Sequence, residues 1–355
     1  MADAWSARTA ALRAALEAQG LDVVAPLNLR WYNEVAPETA RVAPAAVGAG
    51  EDALAVLVGN SRALWPAFTA AHDSDPAIGD AEHPVDTFVA RAIRDAIADA
   101  SNGACGRTAS VVRVFDAHDT SPGKLVAIQR AAHVAGVAHL DESCHLSIHP
   151  TLGPWLAFRA VLVFDDVAGP DRGDVPPTPP NPLADDPIAR RRVDDAFGAA
   201  LAGYEDPDGG RETQWRRWVA VRDAVRPGHP ERYGEEQVRY HYNCLDGRER
   251  ERIRTRLRRS SRARDDDAGE RRGENDREGG PDSEPTGRKG SASAPHPDPI
   301  VTGRIRYRPS LSARPRKSRD ERAAQLCECI INATLVGRRV GFYYSWGFEK
   351  FTFEF

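Results

Sequence analysis

Three arginines are the residues of this sequence whose type and placement suggest a binding site for a charged ligand. Arg159 interrupts the apolar run "WLAFRAVLVF", Arg222 follows two tryptophans in "WRRWVAVRDAV", and Arg248 lies beyond "YHYNCLDG". A charge in an apolar strand is costly to bury without a partner. Converging guanidinium groups would suit a ligand with several carboxylates or a phosphate, because the planar fork pairs with such groups bidentately. Internal ion pairs with Asp223 or Glu235 are the competing interpretation, and the pattern does not choose.

A second group of chemically active side chains lies in "CHLSIHP". On a strand, alternation would place His145, Ser147 and His149 on one face and Cys144 on the other. Two histidines at this spacing can ligate a metal, but no third ligand follows at a recognisable interval. We therefore interpret these residues as partly exposed polar side chains and predict no metal site.

The segment "LVAIQRAAHVAGVAHL", residues 125–140, is predicted to be a helix with few bulky side chains. Gly136 falls inside it, where glycine costs about 1 kcal/mol relative to alanine. Close approach of a flat ligand or of another backbone would explain this glycine, and so would tight packing on a sheet. His133 lies one turn from both Gln129 and Gly136, so this thin face carries polar groups that could meet a ligand.

Several cofactor motifs are missing from the sequence. It contains no G-x-G-x-x-G after a strand, no G-x-x-x-x-G-K-[ST] and no H-E-x-x-H, which argues against the enzymes that use them. The stretch "DAHDTSPG", Asp116 to Gly123, approaches the D-x-H-x-x-G signature by which some B12 enzymes supply a histidine to cobalt, but its glycine falls two positions late. A net charge of -4 gives no electrostatic basis for nucleic-acid binding.

Cysteine usage and hydropathy indicate the compartment. The five cysteines are scattered without a C-x-x-C pair, which is typical of a reducing environment. No apolar run approaches the roughly 18 residues that a membrane span needs. Leu12 and Leu16 predict an amphipathic N-terminal helix stopped by Gly20 rather than a signal peptide, although Arg8 and Arg13 leave an organelle transit segment open. We expect a cytoplasmic protein without membrane association.

The scaffold for these residues is predicted to be one domain over residues 1–255. Its strands and helices indicate an α+β or α/β layer, between which periodicity does not choose. A Pro-rich segment, Gly169 to Pro187, is predicted to be a long surface loop. The predicted strands are Ala53 to Val58, Ala109 to Phe115, Cys144 to Ile148 and Trp155 to Phe164, and the predicted helices are 84–100, 125–140, 188–204, 211–224 and one from Glu235.

Composition changes abruptly near residue 255. Residues 256–325 contain almost no large apolar side chain, so they cannot bury enough surface to offset their chain entropy, and we predict a disordered low-complexity linker. Residues 326–355 are apolar and aromatic again but too short for a domain. Docking of this tail on the main body and an extension without function both remain open.

Five blocks, in this order, resemble the CblC (methylmalonic aciduria and homocystinuria type C) family. They cover about residues 10–255, and "AAHVAG" together with "IHP…GxWxAxR" is a specific combination. The blocks are "RWYNEVAP" (Arg30 to Pro37), "HPVD" (His83 to Asp86), "QRAAHVAGVA" (Gln129 to Ala138), "SIHPTLGPWLAFRAVLVF" (Ser147 to Phe164) and "WVAVRDAVRPGHPERYGEEQ" (Trp218 to Gln237).

The resemblance implies a nitroreductase-like α+β fold, an antiparallel sheet flanked by helices, that binds cobalamin base-off. No protein histidine reaches cobalt in the family, which agrees with the failed D-x-H-x-x-G match. Two reactions are implied: cyanocobalamin loses cyanide by reduction with reduced flavin (FMN or FAD, with NADPH as the indirect source), and alkylcobalamins lose the alkyl group to glutathione. The protein holds and orients these reactants without a catalytic nucleophile of its own. A CblD-like adaptor and a flavin reductase are the implied protein partners.

Residue by residue, the resemblance implies two binding groups. Arg159, Arg222 and Arg248 match arginines linked to glutathione, although the insertion "RPGHPERY" and Arg250 blur the position of the third. The residues matching the cobalamin-facing positions are Val126, Ala127, Ile128, Gln129, His133, Ser147 and Phe158.

The sequence also departs from the family pattern. A tyrosine-rich run of animal members is "HLDES" here (His139 to Ser143), a family arginine appears as Glu142, and Ser147 stands where animal members have cysteine. The balance between decyanation and dealkylation is therefore expected to differ. Two rival functions follow: a non-catalytic cobalamin chaperone, favoured by Glu142 and the missing tyrosines, and a flavin reductase without affinity for corrinoids, which the fold alone would permit.

Overall fold

A computed structural model describes residues 3–102, 112–204 and 211–242 of the chain. The predicted linker 256–325, the tail 326–355 and Arg248 lie outside these ranges. The strands are β1 (Val23–Asn28), β2 (Ala53–Asn60), β3 (Val112–Asp116), β4 (His139–Asp141), β5 (Leu146–Ile148) and β6 (Ala157–Ala168). The helices are α1 (Ala4–Glu17), α2 (Leu29–Val35), α3 (Leu64–Ser74), α4 (Pro76–Gly79), α5 (Pro84–Asn102), α6 (Ile128–Val134), α7 (Pro187–Tyr204), α8 (Arg211–Val225) and α9 (Glu235–His241).

The main sheet has the strand order β1-β2-β6-β3, and each neighbouring pair is antiparallel. The fold is therefore α+β with an antiparallel sheet flanked by helices. Helices α2 and α6 cover one face, and α1, α3 and α5 cover the other. Because both faces are covered, all eight residues of β2 are buried, with Leu57 facing the first cluster and Val56 the second. This explains why β2 and β6 read as nearly continuous apolar runs.

A β-bulge in β6 sets the direction of Arg159. Val58 of β2 pairs with Ala160, whereas the next residue, Gly59, pairs with Phe158, so Arg159 is the extra residue on its strand. A Cβ at Gly59 would lie 2.7 Å from the Ala157 carbonyl oxygen, so the partner strand needs glycine at this point. Bulges re-aim side chains and are common beside functional sites. The bulge also places Phe158 with the α2 and α6 side of the core.

The predicted helix 125–140 was wrong in its length. Helix α6 spans only Ile128–Val134, and residues 139–141 form strand β4. Gly136 adopts a φ of 73° just after the C-terminal cap, where a left-handed residue ends a helix. A Cβ there would overlap the carbonyl oxygen of Pro176 in the Pro-rich loop. The close approach that requires this glycine is therefore made by another backbone.

The predicted strand Cys144 to Ile148 was also too long. Strand β5 begins at Leu146 and pairs with β4 as a separate two-stranded sheet, while His145 lies in the preceding turn with a φ of 54°. His145, Ser147 and His149 therefore do not share one strand face. Ser147 is buried rather than partly exposed.

Most other predicted elements are confirmed. Helix α5 begins at Pro84, α7 and α8 lie within one residue of their predicted bounds, and α9 begins at Glu235 as predicted. Leu12 and Leu16 of α1 are fully buried, and Gly20 has a φ of 75°. Residues 109–111 of the second predicted strand, Ala109 to Phe115, lie outside the described ranges, and its remainder lies in β3. Within these ranges no helix is both long and apolar enough to cross a membrane.

Candidate functional site

Arg159 and Arg222, which lie 63 positions apart in the chain by their numbering, are brought to the same end of the main sheet. Both act electrostatically on the Tyr233 phenol and on the His241 imidazole. Strand β2 ends here, β6 begins here, and helices α8 and α9 close over the end. We call this group the arginine site and define it by Asn60, Trp155, Arg159, Arg222, Tyr233 and His241.

Arg159 is held in place by partners within the protein. Its side chain is only 3% exposed, and its Nε donates a hydrogen bond of 2.7 Å to Oδ1 of Asn60 at the end of β2. Burial lowers the pKa of this guanidinium, while Asp86, in the first turn of α5, acts in the opposite direction. Arg159 is thus positioned by the bulge, by an amide and by a nearby carboxylate.

Arg222 is buried without such compensation. It is 4% exposed on the last turn of α8, and its Cζ lies 5.6 Å from the centre of the Trp155 ring. Within the described ranges it forms no ion pair, and its Nη1 has no hydrogen-bond partner. Asp223, the candidate internal partner, instead accepts a 2.8 Å hydrogen bond from Arg232. A buried cation that lacks a counter-charge is costly, so this arrangement fits an anionic ligand.

Aromatic side chains form the walls of the arginine site. The Tyr233 ring lies between Trp155 and His241, with centroid distances of 5.5 Å and 5.7 Å. Burial raises the pKa of Tyr233 to about 12, so its hydroxyl stays protonated at neutral pH. Burial, helped by the two arginines, holds the pKa of His241 well below its ordinary value. The site therefore presents two fixed cations and neutral side chains.

The predicted cobalamin-binding residues also come together, around α6. Val126, Ile128 and Phe158 belong to one apolar cluster, which Ala127 adjoins. Gln129 donates a 2.9 Å hydrogen bond from Nε2 to the carbonyl oxygen of His145, which ties α6 to the turn before β5. Most of these side chains are buried in this structure, so they serve the core as well as any ligand.

His133 and Ser147 are the polar members of this group. His133 is half-buried, and its Nδ1 accepts a 3.1 Å hydrogen bond from the Leu140 amide. Burial, followed by the charge of nearby His139, lowers the pKa of His133, which favours the neutral ring. Ser147 lies on β5, opposite Leu140, and its hydroxyl has no hydrogen-bond partner among the described residues. Among the predicted cobalamin-binding residues, Ser147 therefore has a buried hydroxyl that is free to form a hydrogen bond with a ligand.

The segment His139 to Ser143 belongs to a different kind of cluster. The Asp141 carboxylate accepts hydrogen bonds from the Ser143 hydroxyl at 2.6 Å and from Arg190 Nη1 at 2.5 Å, and Arg190 also lies 2.6 Å from Asp194. Cys144 contributes both its amide and its thiol to the same carboxylate. We call this group the Asp141 network and define it by Asp141, Ser143, Cys144, Arg190 and Asp194.

Cys144 is not a nucleophile in this setting. Its side chain is fully buried, and burial together with the Asp141 carboxylate raises the pKa of its thiol to about 12. The thiolate, which is the reactive form, is therefore not populated near neutral pH. Glu142 is exposed and forms a 3.0 Å ion pair with Arg130.

Sequence reasoning missed Asn60, Trp155, Tyr233 and His241 as members of the site. Trp155 and Tyr233 lie inside the blocks "GPWLAFR" and "GHPERYGEEQ". Aromatic residues in such segments are typical of core packing. Only their position near Arg222 in the fold indicates a place in the site. Among the described residues, no group of three or more His, Cys, Asp and Glu side chains is arranged to hold a metal ion.

Comparison with known proteins bears on the ligand. Residues 20–251 match the methylmalonic aciduria and homocystinuria type C family. A Homo sapiens protein named cyanocobalamin reductase / alkylcobalamin dealkylase is 27% identical over 233 residues, which cover 61% of this chain and 71% of that protein. The Mus musculus protein of the same name is 27% identical over 230 residues, 61% of this chain and 72% of that protein.

The fold has a counterpart among solved structures. The crystal structure of a C. elegans B12-trafficking protein, described as a CblC homologue of the human protein, matches with a TM-score of 0.50. The two chains are 18% identical, and the match covers 71% of this chain and 95% of the other. At this identity the likeness shows the fold alone. It agrees with the antiparallel sheet and flanking helices described above.

Proposed function

Because the chain belongs to the methylmalonic aciduria and homocystinuria type C family, we propose that it is a cyanocobalamin reductase and alkylcobalamin dealkylase. The names of its human and mouse relatives support this reaction class. The single observation that supports it within this chain is Arg222, a buried cation without a counter-charge among the described residues. We further propose a cytoplasmic location and a fold of the nitroreductase type.

Glutathione is the proposed ligand of the arginine site. It carries two carboxylates at neutral pH, and a carboxylate supplies the negative charge and the acceptor oxygens that Arg222 lacks. Arg159 contributes a second cation, less available because Asn60 already occupies its Nε. Arg248, outside the described ranges, remains a predicted third member.

Dealkylation follows from holding glutathione beside the upper face of cobalamin. The thiolate sulfur attacks the alkyl carbon and forms a thioether, while the cobalt–carbon bond breaks and leaves its electron pair on cobalt as Co(I). The thiol proton leaves to solvent. The protein contributes positioning: fixing one carboxylate on Arg222 converts a bimolecular encounter into a reaction within one complex.

Decyanation needs electrons, which we propose come from reduced FMN or FAD, with NADPH as the indirect source through a flavin reductase. One electron reduces Co(III) to Co(II), and cyanide leaves. The segment His139 to Ser143 offers no tyrosine or tryptophan for stacking, and its Asp141 is occupied by Arg190. We therefore derive no flavin step from these residues. A CblD-like adaptor is the other proposed partner.

Cobalamin is proposed to bind base-off against α6 and its neighbours Val126, Ala127, Ile128, Gln129, His133, Ser147 and Phe158. The unused hydroxyl of Ser147 supports this assignment, because it can bond to an amide of the corrin ring. Since most of these side chains are buried, contact with so large a ligand requires the segments over α6 to separate. The Pro-rich loop is one of them, through the 2.9 Å hydrogen bond from Thr178 to the His133 carbonyl oxygen.

The visible spectrum of methylcobalamin tests this function. Titration with the purified chain is expected to give the base-off spectrum, and added glutathione is expected to convert it to Co(I) or Co(II) species. A base-off spectrum that stays unchanged with glutathione, and with reduced flavin on cyanocobalamin, would identify a chaperone. Glu142 and the lack of tyrosine in the segment His139 to Ser143 favour that second function. No spectral change at all would contradict cobalamin binding and favour a flavin reductase.

A further inference from the structure

Arg222 is not the only buried donor of the arginine site without a partner. The Tyr233 hydroxyl and the Trp155 indole Nε1 also have no hydrogen-bond partner among the described residues. Both side chains are buried, at 2% and 0% exposure. Their rings are in contact, and the Arg222 guanidinium lies over the Trp155 ring, so the three donors belong to one cluster.

Unsatisfied donors in this number are informative. Buried polar groups in proteins nearly always have a hydrogen-bond partner. A buried group without a hydrogen bond costs its full desolvation free energy. Here three side chains with such groups are in contact, and Oδ1 of Asn60, an acceptor of the same site, already accepts from Arg159. A group that satisfies all three donors would supply acceptor oxygens, and one that also pairs with Arg222 would carry a negative charge. A carboxylate meets both conditions.

We infer that Tyr233 is a specificity-determining residue, whose hydroxyl donates to the same substrate carboxylate that pairs with Arg222. The Trp155 ring contacts both side chains, and its unpartnered Nε1 is the candidate third donor. This inference rests on the proposed function, since it assigns glutathione to the site. In addition, Tyr233 would select the co-substrate by its free carboxylate and not by its thiol.

The phenyl part of Tyr233 has a separate, structural task. It packs between Trp155 and His241 and needs no hydroxyl for those contacts. Tyr233→Phe therefore keeps the packing and removes only the unpartnered O–H. Because a desolvated hydroxyl without a bond does not stabilise the free protein, the variant is expected to melt at the same temperature as the wild type or higher. A hydroxyl with a structural role would lower the melting temperature instead.

The test measures binding of S-methylglutathione, which cannot react, to the cobalamin-loaded full chain by calorimetry. Tyr233→Phe is expected to weaken binding about 10- to 100-fold, the loss of one hydrogen bond to a charged group. Two probes each lack one carboxylate: the glycine ethyl ester of S-methylglutathione, and S-methylcysteinylglycine. For the probe that lacks the carboxylate held by Arg222, the variant and the wild type should bind equally. The Tyr233 hydroxyl then has no carboxylate to bind, so its removal costs no further affinity.

Tyr32→Phe is the matched control. Tyr32 is an equally buried tyrosine, but its hydroxyl is fully used: it donates to the Ala40 carbonyl oxygen at 2.6 Å and accepts from the Ala127 amide at 2.9 Å. The control should lower the melting temperature and leave S-methylglutathione affinity unchanged.

Three results would overturn the inference: unchanged S-methylglutathione affinity in Tyr233→Phe, an equal loss for all three probes, or no binding of S-methylglutathione to the wild type. The proposed function is judged separately by conversion of methylcobalamin with glutathione. If the wild type binds S-methylglutathione with the expected pattern but does not dealkylate methylcobalamin, the carboxylate site stands and the proposed dealkylase function fails.

Discussion

The Asp141 network and the arginine site each contain an arginine, partly buried in the first and fully buried in the second, but only the first balances its charge. In the network, the Asp141 carboxylate accepts from Arg190, Ser143 and Cys144, and Asp194 pairs with the other side of Arg190. In the arginine site, Arg222 has no carboxylate partner among the described residues. The charge of Arg190 is therefore balanced within the protein, although its Nε has no hydrogen-bond partner, whereas the charge of Arg222 is not balanced among the described residues.

This difference separates stability from function. Removing one partner of a balanced buried pair leaves an uncompensated charge and destabilises the fold. Removing a buried charge that has no partner relieves the fold and harms only the state that contains the ligand. Variants in the two regions should therefore move stability and activity independently.

The largest expected effect is on stability, in the Asp141 network. Asp141→Ala should lower the free energy of unfolding by about 3–5 kcal/mol, because Arg190 and the Ser143 and Cys144 donors lose their shared acceptor. Denaturant unfolding followed by circular dichroism measures it. The folded fraction of Asp141→Ala should still bind cobalamin. A change below about 1 kcal/mol would mean that the network is no more than a surface pair.

The next effect is on activity, in the arginine site. Arg222→Met should lower kcat/KM for glutathione in dealkylation about 30- to 100-fold, the loss of a charge-assisted hydrogen bond worth about 2–3 kcal/mol. Its melting temperature should be unchanged or higher. Steady-state kinetics with methylcobalamin and thermal unfolding measure the two quantities.

Arg232→Met is the control for Arg222→Met. Its Cζ lies 5.1 Å from the centre of the same Trp155 ring, but Asp223 pairs with it at 2.8 Å and the pair is about one-third exposed. A surface pair of this kind contributes about 1 kcal/mol or less. Dealkylation should stay within about threefold of wild type. Equal losses in the two variants would contradict a special role for the unpaired charge.

A smaller and more selective effect is expected for Arg159, which is better compensated. Arg159→Gln should weaken glutathione-dependent dealkylation about tenfold, equivalent to about 1.4 kcal/mol, because Asn60 and Asp86 already satisfy part of the guanidinium. Flavin-driven decyanation of cyanocobalamin should change less. Assays of both reactions on one preparation decide the point, and equal loss in both would identify a structural arginine.

The smallest effect concerns pH. Burial alone would raise the pKa of Asp141, but the bonds from Ser143 and Cys144 and the charge of Arg190 outweigh it, and the folded-state pKa lies below its ordinary value. A lowered carboxyl pKa adds stability that is present above the unfolded value of about 3.9 and is lost as the pH falls through the folded value. The stability gap between wild type and Asp141→Ala should therefore narrow below about pH 4. A gap that widens on acidification would be contrary to this assignment.

The sequence was most informative where local pattern and tertiary environment agree. Strand β2, helix α5 from Pro84 and helices α7 and α8 follow their predicted bounds, because burial on both faces or amphipathic spacing fixes them locally. The predicted helix 125–140 was wrong because α6 ends at Val134, and Gly136 beyond it adopts a left-handed φ against the backbone at Pro176, 40 residues further along the chain by numbering. Such a contact leaves no local signal.

The candidate site likewise contains residues that local pattern identifies and residues that only contacts across the fold identify. Arg159 stood out by its cost in an apolar segment and Arg222 by its place after two tryptophans, the family resemblance implied their role, and the structure brings them together. The bulge that re-aims Arg159 could not be predicted, because it depends on the register between Gly59 and Phe158. Tyr233 and Trp155 were missed since an aromatic side chain in a core segment has the same pattern whether or not its polar atom finds a partner. Only the hydrogen bonds formed across the fold distinguish a core aromatic residue from one that belongs to the site.

The most direct test follows the methyl group itself. Methylcobalamin carrying a deuterated methyl group is incubated anaerobically with the protein and glutathione, and the products are identified by mass spectrometry. We expect deuterated S-methylglutathione in an amount equal to the cobalamin converted, with the reaction strongly reduced in Arg222→Met although that variant still gives the base-off spectrum. Loss of methylcobalamin without the thioether, or equal thioether formation in Arg222→Met, would contradict transfer to a glutathione held by Arg222.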